Sequence, residues 1–245
     1  MSMPVPTATG SPCGANPLHT AETLAIPSYL ETAYWWAYVH PRAVRLFDRD
    51  WLVDVILFGN YPRLCDMALN ELGQTVHGRI LQVACVYGNL TPRLLGRLAV
   101  DASLEVVDIL PVQLKNLRAK LPADPRVTLT HADSSALPLA DASVDQVLLF
   151  FLLHEQPVDV RRGTLAEAMR VVRPGGKIVI VDYHRPLAWH PARPLMRQIF
   201  RKLEPFAIDL WHHEIESYLP AGIKPASARK RTRFGGLYQQ LVWTR

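Results

Sequence analysis

Between residues 79 and 182 one pattern recurs: a short run of Val, Ile and Leu, a turn, then a stretch with helical spacing. The apolar runs are 79–84, 104–108, 127–131, a segment within 144–153, and 177–182. Strands this apolar, separated by helices, are buried on both faces, which predicts a doubly wound, mostly parallel α/β sheet. Predicted helices fill 111–120 and about 160–172. A Pro174-Gly175-Gly176 turn precedes the fifth strand, a helical insertion covers about 192–218, and 233–242 reads as a closing β segment. With 49% apolar and 20% charged residues the chain can bury such a core. The longest unbroken apolar run, from Val147 to Leu153, is too short to span a bilayer. Three scattered cysteines (Cys13, Cys65, Cys85) make neither a disulfide framework nor a cysteine-based zinc site, so a reducing compartment is expected.

Composition divides the chain into three parts. Residues 1–25, rich in Pro, Ser, Thr, Ala and Gly, read as a flexible leader without the cationic start of a secretory or transit signal. Residues 26–76 form an N-terminal helical extension loaded with aromatics, among them Tyr34, Trp36, Tyr38 and Tyr61. Aromatics on more than one side of a helix suit either plain core packing or a core on one side and a ligand on the other. Residues 77–245 hold the α/β pattern. The six Lys and Arg residues between Ser217 and Arg245, with no acid among them, outnumber the net charge of +5, so the basicity is a C-terminal feature. An anionic membrane surface, a nucleic acid or a solvated loop each fits it.

In a doubly wound sheet the ligand lies beyond the carboxyl ends of the strands. The first strand runs into Val83-Ala84-Cys85-Val86-Tyr87-Gly88. Asp108 ends the second strand about 20 residues after Gly88, the spacing of a carboxylate that accepts both ribose hydroxyls. Asp133-Ser134 follows the third, where an aspartate can bond an exocyclic amine. The pattern suggests an adenosine-containing ligand.

Those segments, with Leu137-Pro138, 144–154, Arg173-Pro174-Gly175-Gly176 and Phe234-Gly235-Gly236-Leu237-Tyr238, resemble a class I S-adenosylmethionine-dependent methyltransferase of the quinone-biosynthesis type. The resemblance implies that Val83, Ala84, Tyr87 and Gly88 cradle the methionine part. Asp108 and Ile109 would hold the ribose, and Asp133 and Ser134 the adenine. The family's first motif has an acid and three glycines; here the positions hold Gln82, Ala84, Val86 and Gly88. That variant run, with the aromatic stretch 34–38, Asp48-Arg49 and 56–61, resembles the rhodoquinone-forming enzymes. Those replace a ring methoxy group of ubiquinone by an amino group taken from S-adenosylmethionine, assisted by manganese.

The resemblance thus implies a transferase using S-adenosylmethionine and Mn²⁺, with ubiquinone as membrane-resident substrate. The quinone carbon bearing methoxy is electrophilic, and a free α-amine adds there once a base or cation has removed its proton. Imidazole and carboxylate suit manganese, so His154, Glu155, Asp182 and His184, at the ends of the fourth and fifth strands, are the candidate ligands as a group. His190, His212 and His213 are weaker candidates. His154 and Tyr183 are the candidate catalytic residues, and Tyr34, Trp36, Tyr38 and Tyr61 the candidate quinone contacts. The expected location is cytoplasmic, attached peripherally to the inner membrane through the basic C-terminal stretch. An ordinary methyltransferase acting on a quinone or another hydrophobic acceptor, and a quinone-binding pseudoenzyme, are the competing readings. Nucleic-acid methylation is disfavoured, because no Asn/Asp-Pro-Pro-aromatic tetrad occurs.

Overall fold

The computed structural model describes residues 24–34 and 41–245; Trp36 and Tyr38 lie outside them. Seven strands form one sheet: Arg79–Val83 (β1), Ser103–Asp108 (β2), Val127–His131 (β3), Val144–Phe150 (β4), Val172–Tyr183 (β5), Ser227–Arg233 (β6) and Tyr238–Thr244 (β7). Their order is β3-β2-β1-β4-β5-β7-β6. β1 to β5 run parallel, and β7 runs antiparallel to both of its neighbours. Alternate side chains of the central strands enter opposite layers, as the strand period of two requires. Ile80, Leu148, Phe150, Val179 and Val181 join one core cluster, while Leu81, Val147, Leu149, Ile178 and Ile180 join the other. All are nearly fully buried, each stabilising the fold by roughly 1.5–3 kcal/mol relative to exposure.

Helices cover both layers. Ser28–Ala33 (α1), Pro41–Phe47 (α2), Asp50–Ile56 (α3) and Tyr61–Leu72 (α4) precede the sheet, and α4 buries Leu64, Cys65, Ala68, Leu69 and Leu72 in the first cluster. Leu90–Leu95 (α5), Pro111–Lys120 (α6) and Val158–Val171 (α7) connect the parallel strands. Arg193–Lys202 (α8) and Asp209–His212 (α9) form the insertion before the final hairpin. Among the described residues no helix is long and apolar enough to cross a membrane.

Three details differ from the sequence expectation. β4 ends at Phe150; Phe151 takes a left-handed φ of 52° and 153–155 wind into a 3-10 turn, so His154 sits on a loop beyond the strand end. Pro174-Gly175-Gly176 lies inside β5, whose register against β4 shifts between Val144 and Gln146. The closing β segment is a hairpin with Phe234-Gly235-Gly236 at its turn. The basic residues of β6 lie on the exposed sheet edge, where charge blocks edge-to-edge pairing. Arg229 and Arg231 pair with Glu71, and Lys230 with Glu214, so internal acids already engage much of the run expected to meet lipid.

The turn after β1 depends on one tyrosine. The Tyr61 hydroxyl donates to Tyr87 O and accepts from Leu90 N, both at 3.1 Å. Gly88 crosses this hydroxyl with a φ of +81°, and a Cβ there would overlap it. Gly88→Ala is therefore expected to destabilise the protein by about 2–4 kcal/mol, from left-handed strain plus overpacking. Denaturant midpoints at an unchanged m value measure this.

Candidate active site

The strand order reverses between β1 and β4, and the crevice beyond their carboxyl ends holds a cavity of about 610 Å³. Its walls run from Ala84, Cys85, Val86, Tyr87, Asp108, Ile109, Asp133 and Ser134 on one side to Phe58, Phe151, His154, Glu155, Tyr183, Met196 and Glu204 on the other. Most of the sequence candidates therefore come together. Val83 and Gly88 do not reach the cavity: Val83 packs in the core beneath, and Gly88 is occupied with its turn. Tyr61 lines it with its ring only, since its hydroxyl serves that turn. Tyr34 packs behind the wall against Leu30 and Leu110, its hydroxyl beside Glu204.

The first loop keeps a glycine-type backbone without its glycines. Ala84 holds a φ of 72°, and the Gln82 amide links Ala84 O to the Thr91 hydroxyl, at 3.0 and 2.9 Å. Asp48, following α2, accepts from Gly88 N at 3.0 Å, Asn116 Nδ2 at 2.9 Å and Lys120 Nζ at 2.5 Å. Lys120 also bonds Gly88 O. The helical extension is thereby pinned to the turn, a role that the sequence pattern around Asp48-Arg49 does not disclose.

Asp108 is 7% exposed and ties two loops, accepting from Cys85 N at 2.7 Å and Leu110 N at 2.8 Å. Burial lifts its carboxyl to about 6 even though these donors pull it down. Each oxygen keeps a further lone pair, so the residue fits a ribose diol held at the cavity wall. Asp133 caps its own turn through Ser135 N at 2.7 Å, and the Ser134 hydroxyl is shared with Thr164 and Gln156. The adenosyl end of the cofactor fits this side.

On the other side Asp182, fully buried, accepts from Leu153 N at 2.9 Å and Tyr183 N at 2.7 Å and meets His154 Nδ1 at 2.9 Å. His154 Nε2 faces Glu155 at 3.7 Å and Glu204 at 3.9 Å. Burial opposes the ring's charge, but the Asp182, Glu204 and Glu155 carboxylates outweigh it and raise His154 to about 9. Its contribution to stability is complete below pH 6.5 and is lost as pH rises through about 9. Tyr183 packs edge-on to this ring at 4.8 Å, and burial keeps its hydroxyl protonated.

The four expected metal ligands do not assemble. β5 ends at Tyr183, and His184 turns away to the Gly236 carbonyl at 2.8 Å in a separate depression with His212 and His213. Asp182 sits behind His154, outside the cavity lining. Among the described residues no group of three or more His, Cys, Asp and Glu is arranged to hold a metal ion, so manganese does not fit these side chains. Glu204, which follows α8 in a stretch with no motif of its own, is the site residue that sequence reasoning missed.

Asp108→Asn should weaken S-adenosylhomocysteine binding about ten- to a hundredfold, the worth of a charge-assisted hydrogen bond. For the unsubstituted protein the affinity should hold level above pH 7 and decline below about 6, because ribose hydroxyls donate to the ionised carboxylate. Calorimetric titration across pH reads both effects.

A family model described as a methyltransferase domain matches residues 80–176. The ubiquinone/menaquinone biosynthesis C-methyltransferase UbiE of Syntrophotalea carbinolica is 32% identical over 165 residues, 64% of this chain and 65% of that protein. The demethylmenaquinone methyltransferase of Renibacterium salmoninarum is 32% identical over 133 residues, 54% of this chain and 53% of that one. The chain thus spans between a half and just under two thirds of these curated relatives. Geranyl diphosphate C-methyltransferase from Streptomyces coelicolor, solved with Mg²⁺, geranyl diphosphate and S-adenosyl-L-homocysteine, superposes with a TM-score of 0.59 at 13% identity. That match covers 90% of this chain and 99% of that structure. The matched segment, the sheet order and the crevice beyond β1 and β4 together give this chain the Rossmann-like fold of class I methyltransferases.

Proposed function

We propose that this protein transfers the methyl group of S-adenosylmethionine to the ring of a quinone-type acceptor. The observation that carries the reading is one continuous cavity, polar where an adenosyl group fits and walled elsewhere by Phe58, Phe150, Phe151, Tyr183 and the aliphatic face of α8. A flat, apolar ring suits aromatic walls, which pack it edge-on or offset at little entropic cost. The relatives named for ubiquinone, menaquinone and demethylmenaquinone support the same acceptor class.

Within this reading Asp108, Ile109, Asp133 and Ser134 hold the adenosyl end, and Ala84, Cys85, Val86 and Tyr87 bound its amino-acid end. S-adenosylmethionine supplies an electrophilic sulfonium methyl when bound. The His154 ring, protonated against Asp182, presents a positive charge to an oxygen of the acceptor ring. Tyr183 holds that imidazolium in place from its edge.

One feature favours a second reading, amino transfer from the cofactor to ubiquinone to give rhodoquinone. Ala84 and Val86 place side chains on the cavity wall at the methionyl end, where glycines would leave bare backbone. Crowding there shifts the amino-acid tail and re-aims which end of the cofactor meets the ring.

One experiment separates the two: incubation with a short-tailed ubiquinone analogue and its ring-unsubstituted hydroquinone, using cofactor labelled either in the methyl carbon or in the amine nitrogen. Mass spectrometry of the extracted quinones should find the carbon label. Nitrogen label accompanied by loss of methoxy would install the second reading, and neither label in any quinone would overturn both.

The cavity mouth supports a lipid-borne acceptor. Val55, Ile56, Leu195 and Leu203 line the cavity and remain about half exposed at its rim. α8 adds the exposed Arg197, Arg201 and Lys202 and carries no acid, and none of these three is in an ion pair among the described residues. At roughly 1 kcal/mol per cation near an anionic surface, these suffice for reversible, peripheral attachment to the cytoplasmic side of the inner membrane. Co-sedimentation with phosphatidylglycerol vesicles should fall several-fold for Arg197→Gln combined with Arg201→Gln and stay low throughout with phosphatidylcholine. Equal sedimentation of both proteins would refute this surface.

A further inference from the structure

Methylation of a ring requires that the acceptor lose a proton, and the cavity offers few groups able to take one. His154 cannot, because its Nδ1 is committed to Asp182 and two further carboxylates face its Nε2. Asp108 and Asp133 spend oxygens on backbone donors at the ends of β2 and β3. The Tyr87 hydroxyl accepts from Gln113 Nε2 at 2.9 Å, and the hydroxyls of Tyr29, Tyr87 and Tyr183 are all buried in their neutral forms. The Cys85 thiol is likewise held protonated by burial beside Asp108.

Glu204 differs from all of these. It follows the end of α8, lines the cavity next to Leu203 and Met196, and is only 17% exposed in its side chain. Its Oε2 has no hydrogen-bond partner among the described residues. A buried carboxylate oxygen without a donor costs about 1–3 kcal/mol or more, so its retention calls for a compensating use. The neighbouring groups are arranged around it: the His154 imidazolium at 3.9 Å, Glu155 at the same Nε2, Asp182 at the opposite ring nitrogen, and the hydroxyl of Tyr34, which follows α1.

Resting on the methyl-transfer reading above, we propose that Glu204 is the general base of this site, its Oε2 taking the proton of an acceptor ring hydroxyl. The O–H bond breaks with its electron pair left on the ring. That pair forms the new bond to the sulfonium methyl carbon, and the methyl–sulfur bond breaks with its pair left on sulfur. The sulfonium becomes a thioether. The ring carbon's hydrogen then leaves as a proton to solvent, restoring aromaticity, and the resulting ring oxyanion takes back the proton held by Glu204, so one proton is released in all. Burial raises the proton affinity of the Glu204 carboxyl, the adjacent imidazolium opposes that rise, and the same imidazolium stabilises the developing ring oxyanion. Glu204 is thus a catalytic residue and His154 its electrostatic partner.

The test uses the full chain, methyl-labelled cofactor and the ring-unsubstituted hydroquinone. Glu204→Gln should lower kcat about a hundredfold, the usual scale for a lost general base, while the dissociation constant for S-adenosylhomocysteine stays within about threefold. Glu204→Ala should lose as much and recover at least tenfold in sodium formate but not in sodium chloride of the same strength, which a purely structural role would not produce. Near-normal kcat in Glu204→Gln, or a loss of that size in Glu155→Gln with Glu204→Gln unaffected, would overturn the assignment. So would loss of kcat with no formate recovery. A protein without substitutions that labels no quinone would instead sink the methyl-transfer reading, so the two failures are distinct.

Discussion

Parallel strands deliver their loops to one edge of the sheet, where backbone N–H groups of tight turns lie buried and need acceptors. In this protein two aspartates at strand ends provide them. Asp108, closing β2, holds the loops after β1 and β2 together; Asp182, near the end of β5, holds the turn after β4 and the His154 ring. Each carboxylate is buried at a cost that only several donors offset, so each fixes a small constellation rather than a single contact. The cavity between them exists because both loops are held open in this way.

The two halves of the cavity differ in electrical character as a result. Around Asp108 and Asp133 the carboxylates face backbone donors and present spare lone pairs outward, a surface suited to hydroxyls and amines. Around His154 three carboxylates compete for one imidazolium in apolar surroundings, and low polarity strengthens every charge–charge interaction there. The aromatic rings of Phe151 and Tyr183 pack edge-on against the His154 ring. A site with one cation and more than one anion is poised to move a proton, which a site of plain ribose contacts is not.

Much of the sheet side was legible in the chain. Val/Ile/Leu runs at regular spacing can be satisfied only by burial on two faces, and Asp108 and Asp133 stand immediately after such runs, so their place at the crevice follows from strand direction alone. The wall from the helical insertion was not legible. Glu204 lies between α8 and α9 in a stretch without periodic motif, and its role comes from packing beside His154, 50 positions earlier in the chain. His154, Glu155, Asp182 and His184 looked like one ligand group because they end adjacent strands. The strand end at Tyr183 and the turn toward Gly236 sent His184 elsewhere. The basic C-terminal run lies on an exposed edge strand, and its partners Glu71 and Glu214 come from distant segments, so no local pattern disclosed them.

The amino-acid sequence by itself determined the sheet, its parallel core and the two acids on its ligand edge, because side-chain period and hydrophobicity are local properties that every residue carries with it. Tertiary structure decided which distant groups share the cavity: Asp48 against Gly88, Tyr61 under the turn, Asp182 behind His154, and Glu204 across from it. Such neighbours arise from how helices lie across a finished sheet. Charge and proton affinity then follow from burial and distance, quantities that no single stretch of chain contains.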